Sequence, residues 1–225
     1  GIHRVSYQMR PIDKVLNLDF FNKQLLYVHI PKTGGSFIED TFKANGYMVG
    51  KYNKYTHHSL PRNIVQNGYK CNKWHIPVNY DLITLDKGTS KITSPVPSIN
   101  FNEHLVFTVI RDPVSRFISE VNYKFFPKYY KHKESDINKF ISKNFKDNTK
   151  IYDGDCHLVH QSDYIYDKSG NKINDMIKFD NMYEHLLSFI KKYHLNIKIT
   201  NKKINPKTSN YKISDITRDN LILIN

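Results

Sequence analysis

The chain has 225 residues, 34 Lys+Arg against 21 Asp+Glu, a formal net charge of +13 and a mean hydropathy of −0.59. That length supports one large α/β domain with a real core, and no apolar run approaches the roughly 20 residues that cross a bilayer. The charge favours a polyanionic partner such as nucleic acid, an anionic membrane or an acidic glycan, yet the abundance of Lys, Asn, Ile and Tyr also follows from AT-rich coding, so charge alone names none.

In chain order, residues 1–24 read as an irregular lead-in, and an apolar strand follows at about 25–30. The segment Pro31-Lys32-Thr33-Gly34-Gly35-Ser36 then turns into an amphipathic helix over about 36–45 that ends near Gly46. Residues 51–80, rich in His, Asn and Tyr with scattered prolines, read as short helices and loops, and 86–102 as an exposed loop or hairpin. A second apolar strand at about 105–110 leads into Arg111-Asp112-Pro113-Val114-Ser115-Arg116-Phe117-Ile118-Ser119 and a helix to about 125, with Phe117, Ile118, Val121 and Phe125 on one face.

Ser135 is placed to cap a further helix whose stripe is Ile137, Phe140, Ile141 and Phe145. Tyr164-Ile165-Tyr166 and Ile177-Lys178-Phe179 read as short strands, the first turned by Asp167-Lys168-Ser169-Gly170. A helix then repeats Met182, Leu186, Leu187, Ile190 and Tyr193. The final residues 219–225 stop mid-helix without a cap, which points to a truncated C-terminus. Gly1 in place of Met points to a trimmed N-terminus that an anchor could have preceded. With no internal repeat and no linker, 1–225 is one domain.

Both strand-to-helix junctions have the character of anion sites. A tight Gly34-Gly35 turn before a helix presents free N–H groups and the positive end of the helix dipole, to which Lys32 adds a cation and Ser36 a hydroxyl. At the second junction Pro113 suits the first helical turn, Arg111 is beside it, and Ser115 and Ser119 lie four apart on one helix face. A nucleotide-kinase loop would read G-x-x-x-x-G-K-[ST]. Here Lys32 precedes the glycines, and Arg111 beside Asp112 argues against a cation site, so a triphosphatase or kinase is disfavoured. The two cysteines, Cys71 and Cys156, either pair or are unrelated thiols, and no Cys/His spacing marks a zinc site.

His29-Ile30-Pro31-Lys32-Thr33-Gly34-Gly35-Ser36 resembles the 5′-phosphosulfate loop of sulfotransferases that use 3′-phosphoadenosine 5′-phosphosulfate (PAPS), and Arg111-Asp112-Pro113 with Ser119 resembles their 3′-phosphate site. The subgroup it resembles is the Golgi-type carbohydrate sulfotransferases, relatives of the heparan sulfate 2-O- and chondroitin enzymes. Gln161-Ser162-Asp163-Tyr164, the helix from Met182, and the segment Asn205 to Lys212 are similar to further family segments, the last of which closes over the nucleotide.

The resemblance implies a three-layer, P-loop-like α/β fold with a mainly parallel central sheet flanked by helices. It implies sulfuryl transfer from PAPS to a carbohydrate hydroxyl, with no metal required. Lys32, Thr33, Gly34, Gly35, Ser36 and Phe37 would hold the 5′ end, Arg111 and Ser119 the 3′-phosphate, and Thr208 and Ser209 the closing loop. Lys32 would also stabilise the departing charge. A histidine base suits an alcohol acceptor near neutral pH. His75, in Trp74-His75-Ile76-Pro77, is preferred over His58, with a carboxylate such as Glu39 or Glu120 as the remaining choice. His29 reads as a packing residue, and His132, His185 and His194 as helix-surface residues. The expected partner is an acidic or neutral glycan rather than nucleic acid. Family relatives work in the Golgi lumen as anchored proteins, and anchorless forms in the cytoplasm. A non-catalytic polyanion binder on a degenerate nucleotide fold is the contrasting expectation, separated from the first by whether adenosine 3′,5′-bisphosphate binds.

Overall fold

The computed structural model describes residues 24–52, 63–66, 69–75, 77–78, 83–85, 92–95, 104–123, 134–146, 155–167, 169–199 and 212–225. Strand β1 (Gln24–Val28) is followed by helix α1 (Gly35–Ala44) and two antiparallel pairs, β2 (Asn63–Gln66) with β3 (Tyr69–Asn72) and β4 (Ile83–Leu85) with β5 (Ile92–Pro95). Strand β6 (His104–Ile110), helices α2 (Pro113–Val121), α3 (Glu134–Phe145) and α4 (Ser162–Ile165), strand β7 (Asp175–Lys178), and helices α5 (Met182–Lys192) and α6 (Arg218–Ile224) complete the described order.

The central sheet is parallel, in the order β1-β6-β7, with Val28 opposite Thr108 and Ile110 opposite Lys178. Side chains alternate across a strand, and here both faces are apolar, as a parallel sheet covered on both sides requires. Leu25, Tyr27, Leu105, Phe107 and Ile177 pack against Ile38 and Phe42 of α1 and Met182, Leu186 and Phe189 of α5. Leu26, Val28, Ile30 and Val106 pack on the opposite face against Cys156, Val159, Tyr164 and Ile173. The expected layered α/β architecture therefore holds. A separate apolar cluster joins α2, α3 and α6 through Phe117, Val121, Ile137, Phe140, Ile141, Phe145 and Ile224.

Several local expectations change. Residues 63–72, read as loop or short helix, form the β2–β3 hairpin with Gln66 opposite Tyr69. Asn67-Gly68 fills that two-residue gap in the sequence, a strong hairpin signal. Tyr164 and Ile165 lie in helical α4 rather than a strand, and only Tyr166 bridges to Lys172. Helix α3 begins at Glu134, which puts Ser135 inside it rather than at the cap. In α5 the buried position beside Leu186 is Phe189, while Leu187 is 44% exposed. His57, His58, His132, Phe125, Thr208 and Ser209 lie outside the described residues.

Candidate active site

The first anion loop is built by a sharp left-handed turn. Lys32 has φ 66° and Gly34 φ 87°, and only the second is free of the Cβ cost of that region. Buried Thr33 closes the turn from inside by donating Oγ1 to the Ile30 carbonyl at 2.8 Å. Gly34 caps α1 with no side-chain bond, and Phe37 N donates to Gly34 O at 3.0 Å. The first-turn N–H groups of Gly35 and Ser36 therefore have no intrahelical acceptor and sit at the positive end of the dipole. Gly35 is needed for a packing reason, because a Cβ there would fall inside the His29 imidazole. Ser36 is exposed, whereas Phe37 is half-buried against the α1–α5 core, so its side chain serves packing and its backbone lines the loop.

The second anion segment lies directly against the first. Asp112 caps α2, its Oδ1 accepting from Ser115 N at 2.7 Å, with Pro113 in the first helical position. Its carboxylate is thus committed to the helix, an interaction worth about 1 kcal/mol, rather than to Arg111. Gln161 clamps the Arg111 backbone, accepting from Arg111 N at 3.0 Å and donating to Arg111 O at 2.7 Å. The guanidinium stacks over the Phe179 ring at 4.1 Å and donates from Nη1 to the Lys32 carbonyl at 3.1 Å. Arg111 Nε is buried with no hydrogen-bond partner, a costly state for a cationic donor unless a ligand accepts from it. Ser119 sits half-buried two turns along α2. The Lys32 ammonium lies over the Tyr123 ring, 3.7 Å from its centroid.

Three histidines stand edge to face, each with a carboxylate at its Nδ1. His29 Nδ1 lies 2.8 Å from Glu39 Oε1, His75 Nδ1 2.9 Å from Asp155 Oδ2, and His157 Nδ1 2.7 Å from Glu120 Oε2. The His75 ring is 4.9 Å from that of His29 and 5.0 Å from that of His157, both perpendicular or nearly so. Burial pushes the His75 imidazole down to about 4 against the upward pull of Asp155. Burial also depresses His157, but Asp155 and Glu120 overcome it and hold that ring up at about 8. Burial would raise Glu39, and the His29 and Lys51 contacts reverse this and hold it below the usual carboxylate range. An ionised Asp155 can only accept, so His75 carries its proton on Nδ1 and keeps the Nε2 lone pair available.

His75 is thus joined to two residues that sequence reading did not single out, Asp155 and His157, while Glu39 and Glu120 are occupied as partners of other histidines. The backbone around His75 is tied down from both sides. The buried Tyr164 hydroxyl lies 3.1 Å from the His75 carbonyl and 2.9 Å from that of Cys156, donating to one or the other. Asp155 and Cys156 both have positive φ, 67° and 60°, a strained pair held by its surroundings. Cys156 is disulfide-bonded, and the other cysteine in the sequence is Cys71, four residues before His75.

Arg116 joins the two halves of the site. From full burial it donates Nε to Pro31 O at 2.9 Å, Nη1 to Val159 O at 2.8 Å and Nη2 to His157 O at 2.7 Å. Sequence reading placed Arg116 only as part of the second motif. No helix among the described residues is long and apolar enough to cross a membrane.

A model of the sulfotransferase family matches residues 20–217 of the chain. No curated protein and no solved structure matches it.

Proposed function

The chain belongs to the sulfotransferase family, a family of sulfuryl-transferring enzymes that generally use PAPS, and we propose that it passes the sulfuryl group of PAPS to a carbohydrate hydroxyl with His75 as general base. The observation that carries this reading is the Arg111 Nη1 bond to the Lys32 carbonyl at 3.1 Å. It brings the two segments side by side, which supports a single small ligand carrying phosphates on the 3′ and 5′ positions of one ribose.

The residues present fit such a donor. Arg111 offers a buried Nε with no partner, as a 3′-phosphate site demands, and the uncapped start of α1 offers N–H groups to a 5′-phosphate. When bound, PAPS supplies an activated sulfuryl group on a phosphate leaving group. Lys32 stands at that loop to stabilise charge as it develops on the leaving phosphate, and Ser119 would add a hydroxyl to the 3′ end. His75 would take the acceptor's hydroxyl proton on Nε2, and Asp155, 2.9 Å from Nδ1, would stabilise the imidazolium so formed. Trp74, whose ring centroid is 5.9 Å from that of His75, supplies an aromatic surface suited to a sugar face. The basic surface, +13 overall, would steer an acidic or already sulfated glycan.

The test is transfer from labelled PAPS to a panel of defined oligosaccharides, together with calorimetric binding of adenosine 3′,5′-bisphosphate. Lys32→Ala and Arg111→Ala are each expected to lower transfer by at least about a hundredfold, and Arg111→Ala to lose bisphosphate affinity as well. His75→Ala should lose turnover by about a hundredfold or more while binding the bisphosphate normally. A chain that folds but does not bind the bisphosphate overturns the donor assignment, and full turnover in His75→Ala overturns the base.

A further inference from the structure

We propose that His75, Asp155 and His157 form a binding site for a transition-metal ion of the zinc class, and that the ion silences the enzyme by capturing its base. The inhibitory half of this inference rests on His75 being that base; the binding half does not.

One ligand atom from each of the three residues lies within 4.8 Å of the others. Asp155 Oδ2 is 2.9 Å from His75 Nδ1 and 3.7 Å from His157 Nε2. Tetrahedral zinc with bonds of about 2.0–2.1 Å places its ligand atoms about 3.3 Å apart, between those two separations, and the third pair, within 4.8 Å, has to close by at most about 1.5 Å. Two imidazole nitrogens and one carboxylate oxygen suit zinc, copper or nickel and are a poor set for magnesium or calcium, which take mostly oxygen. Three protein ligands also leave a coordination position open, as in zinc sites that bind a further molecule.

The surroundings already orient the donors. Glu120 holds His157 Nδ1 at 2.7 Å, which directs Nε2 toward Asp155 and reproduces the carboxylate–histidine–metal arrangement that fixes ring orientation at metal centres. Arg116 pins the His157 carbonyl and Tyr164 the backbone beside His75. An ion on His75 Nδ1 displaces the proton now shared with Asp155 and leaves the neutral ring protonated on Nε2. Nε2 is the atom that would accept from the acceptor hydroxyl, so a metal-loaded His75 has no lone pair to offer.

Trp74 is the only tryptophan in the chain and its ring centroid is 5.9 Å from that of His75, which makes it a local reporter. Titration with Ni²⁺, an open-shell quencher, should quench its fluorescence to saturation, with reversal by EDTA and recovery when diamagnetic Zn²⁺ displaces the nickel. Mg²⁺ should neither quench nor compete. His157→Gln and Asp155→Asn should each weaken nickel affinity by at least about tenfold, with adenosine 3′,5′-bisphosphate binding kept as the check on folding. X-ray absorption of the zinc-loaded wild-type chain, which needs no variant, should show two imidazoles in the metal shell. Absence of quenching, undiminished quenching in both variants, or a shell without two imidazoles overturns the site. Zinc should also abolish sulfuryl transfer at metal saturation without weakening bisphosphate binding. Nickel quenching with zinc-insensitive turnover keeps the site and overturns its inhibitory role together with His75 as base. No quenching in an enzyme whose turnover still depends on His75 overturns the site and leaves the base standing.

Discussion

Arg116 Nε donates to the Pro31 carbonyl at 2.9 Å, so a residue of α2 holds the backbone of the loop that follows β1. The same guanidinium reaches His157 and Val159 through its other nitrogens. One buried cation therefore sets the spacing between the loop after β1 and the histidine cluster and ties the two together mechanically.

Replacing Arg116 leaves up to three buried carbonyls without their donor. Each unsatisfied group costs about 1–3 kcal/mol, and loss of a buried charged partner costs about 3–5 kcal/mol, a large part of the whole stability of a domain. Arg116→Ala should lose about 4 kcal/mol in urea unfolding followed by circular dichroism. Arg116→Lys should recover less than half of that, because a single ammonium does not span the fork. A wild-type urea midpoint for Arg116→Lys would show that the three bonds carry little.

Gly35 and His29 occupy one space. The Cβ of Gly35→Ala would overlap the imidazole, and the ring has no easy retreat between Glu39 at 2.8 Å and the edge-on His75 ring at 4.9 Å. The expected cost is about 1–3 kcal/mol, seen as a Tm lower by about 3–10 °C. His29→Ala in the same chain should relieve part of it, a coupling of about 1 kcal/mol in a double-mutant cycle. Strict additivity of the two changes would mean that the ring moves aside at no cost.

The pieces of this site differed in how visible they were from sequence, and the difference is physical. Both anion segments are local: a strand, a turn and a helix start are written within a dozen residues, as are the Asp112 cap and the Gly34-Gly35 turn. The pairing of His75 with Asp155 spans 80 residues, and no periodicity marks the stretch around Asp155, whose two left-handed residues are imposed by tertiary contacts. Cys156 beside His157 was the one available signal, since a chain with two cysteines has a single possible internal bridge. Tyr164 illustrates the opposite failure. Its aromatic, β-branched neighbourhood has strand propensity, but burial of its ring and the bonds of its hydroxyl to the His75 and Cys156 carbonyls outweigh that preference.

The disulfide at Cys156 stands between Asp155 and His157. A cross-link there stabilises the fold by about 2–4 kcal/mol and holds the strained turn that presents Asp155. Reduction with dithiothreitol, or Cys156→Ser, should lower the urea midpoint. It should also lower turnover more than adenosine 3′,5′-bisphosphate affinity, because the anion loops sit on other elements. Equal loss of turnover and of bisphosphate binding would show global unfolding instead.

The two buried histidines that share Asp155 should give the protein a stability maximum near pH 6.5. An unfolded histidine titrates at about 6.5. His75 is pushed down to about 4, chiefly by burial, so between pH 6.5 and 4 the unfolded chain binds more protons, and stability falls as pH falls through that window. His157 is held up at about 8, with Asp155 and Glu120 outweighing burial. Its contribution is complete below pH 6.5 and is lost as pH rises through 8. Each limb is worth on the order of 2–3 kcal/mol, because a tenfold difference in proton affinity between folded and unfolded chains corresponds to roughly 1.4 kcal/mol. Urea unfolding from pH 5 to 8.5, in buffer containing EDTA, should show both slopes, with the alkaline one removed in His157→Gln and the acid one reduced in His75→Asn. Because His75 is already unprotonated at neutral pH, the acid limb of kcat/KM should lie well below the ordinary histidine range. A kcat/KM profile that turns down near pH 6.5, with stability flat between pH 6.5 and 5, would remove His75 from the buried, neutral state on which the proposed role as base depends.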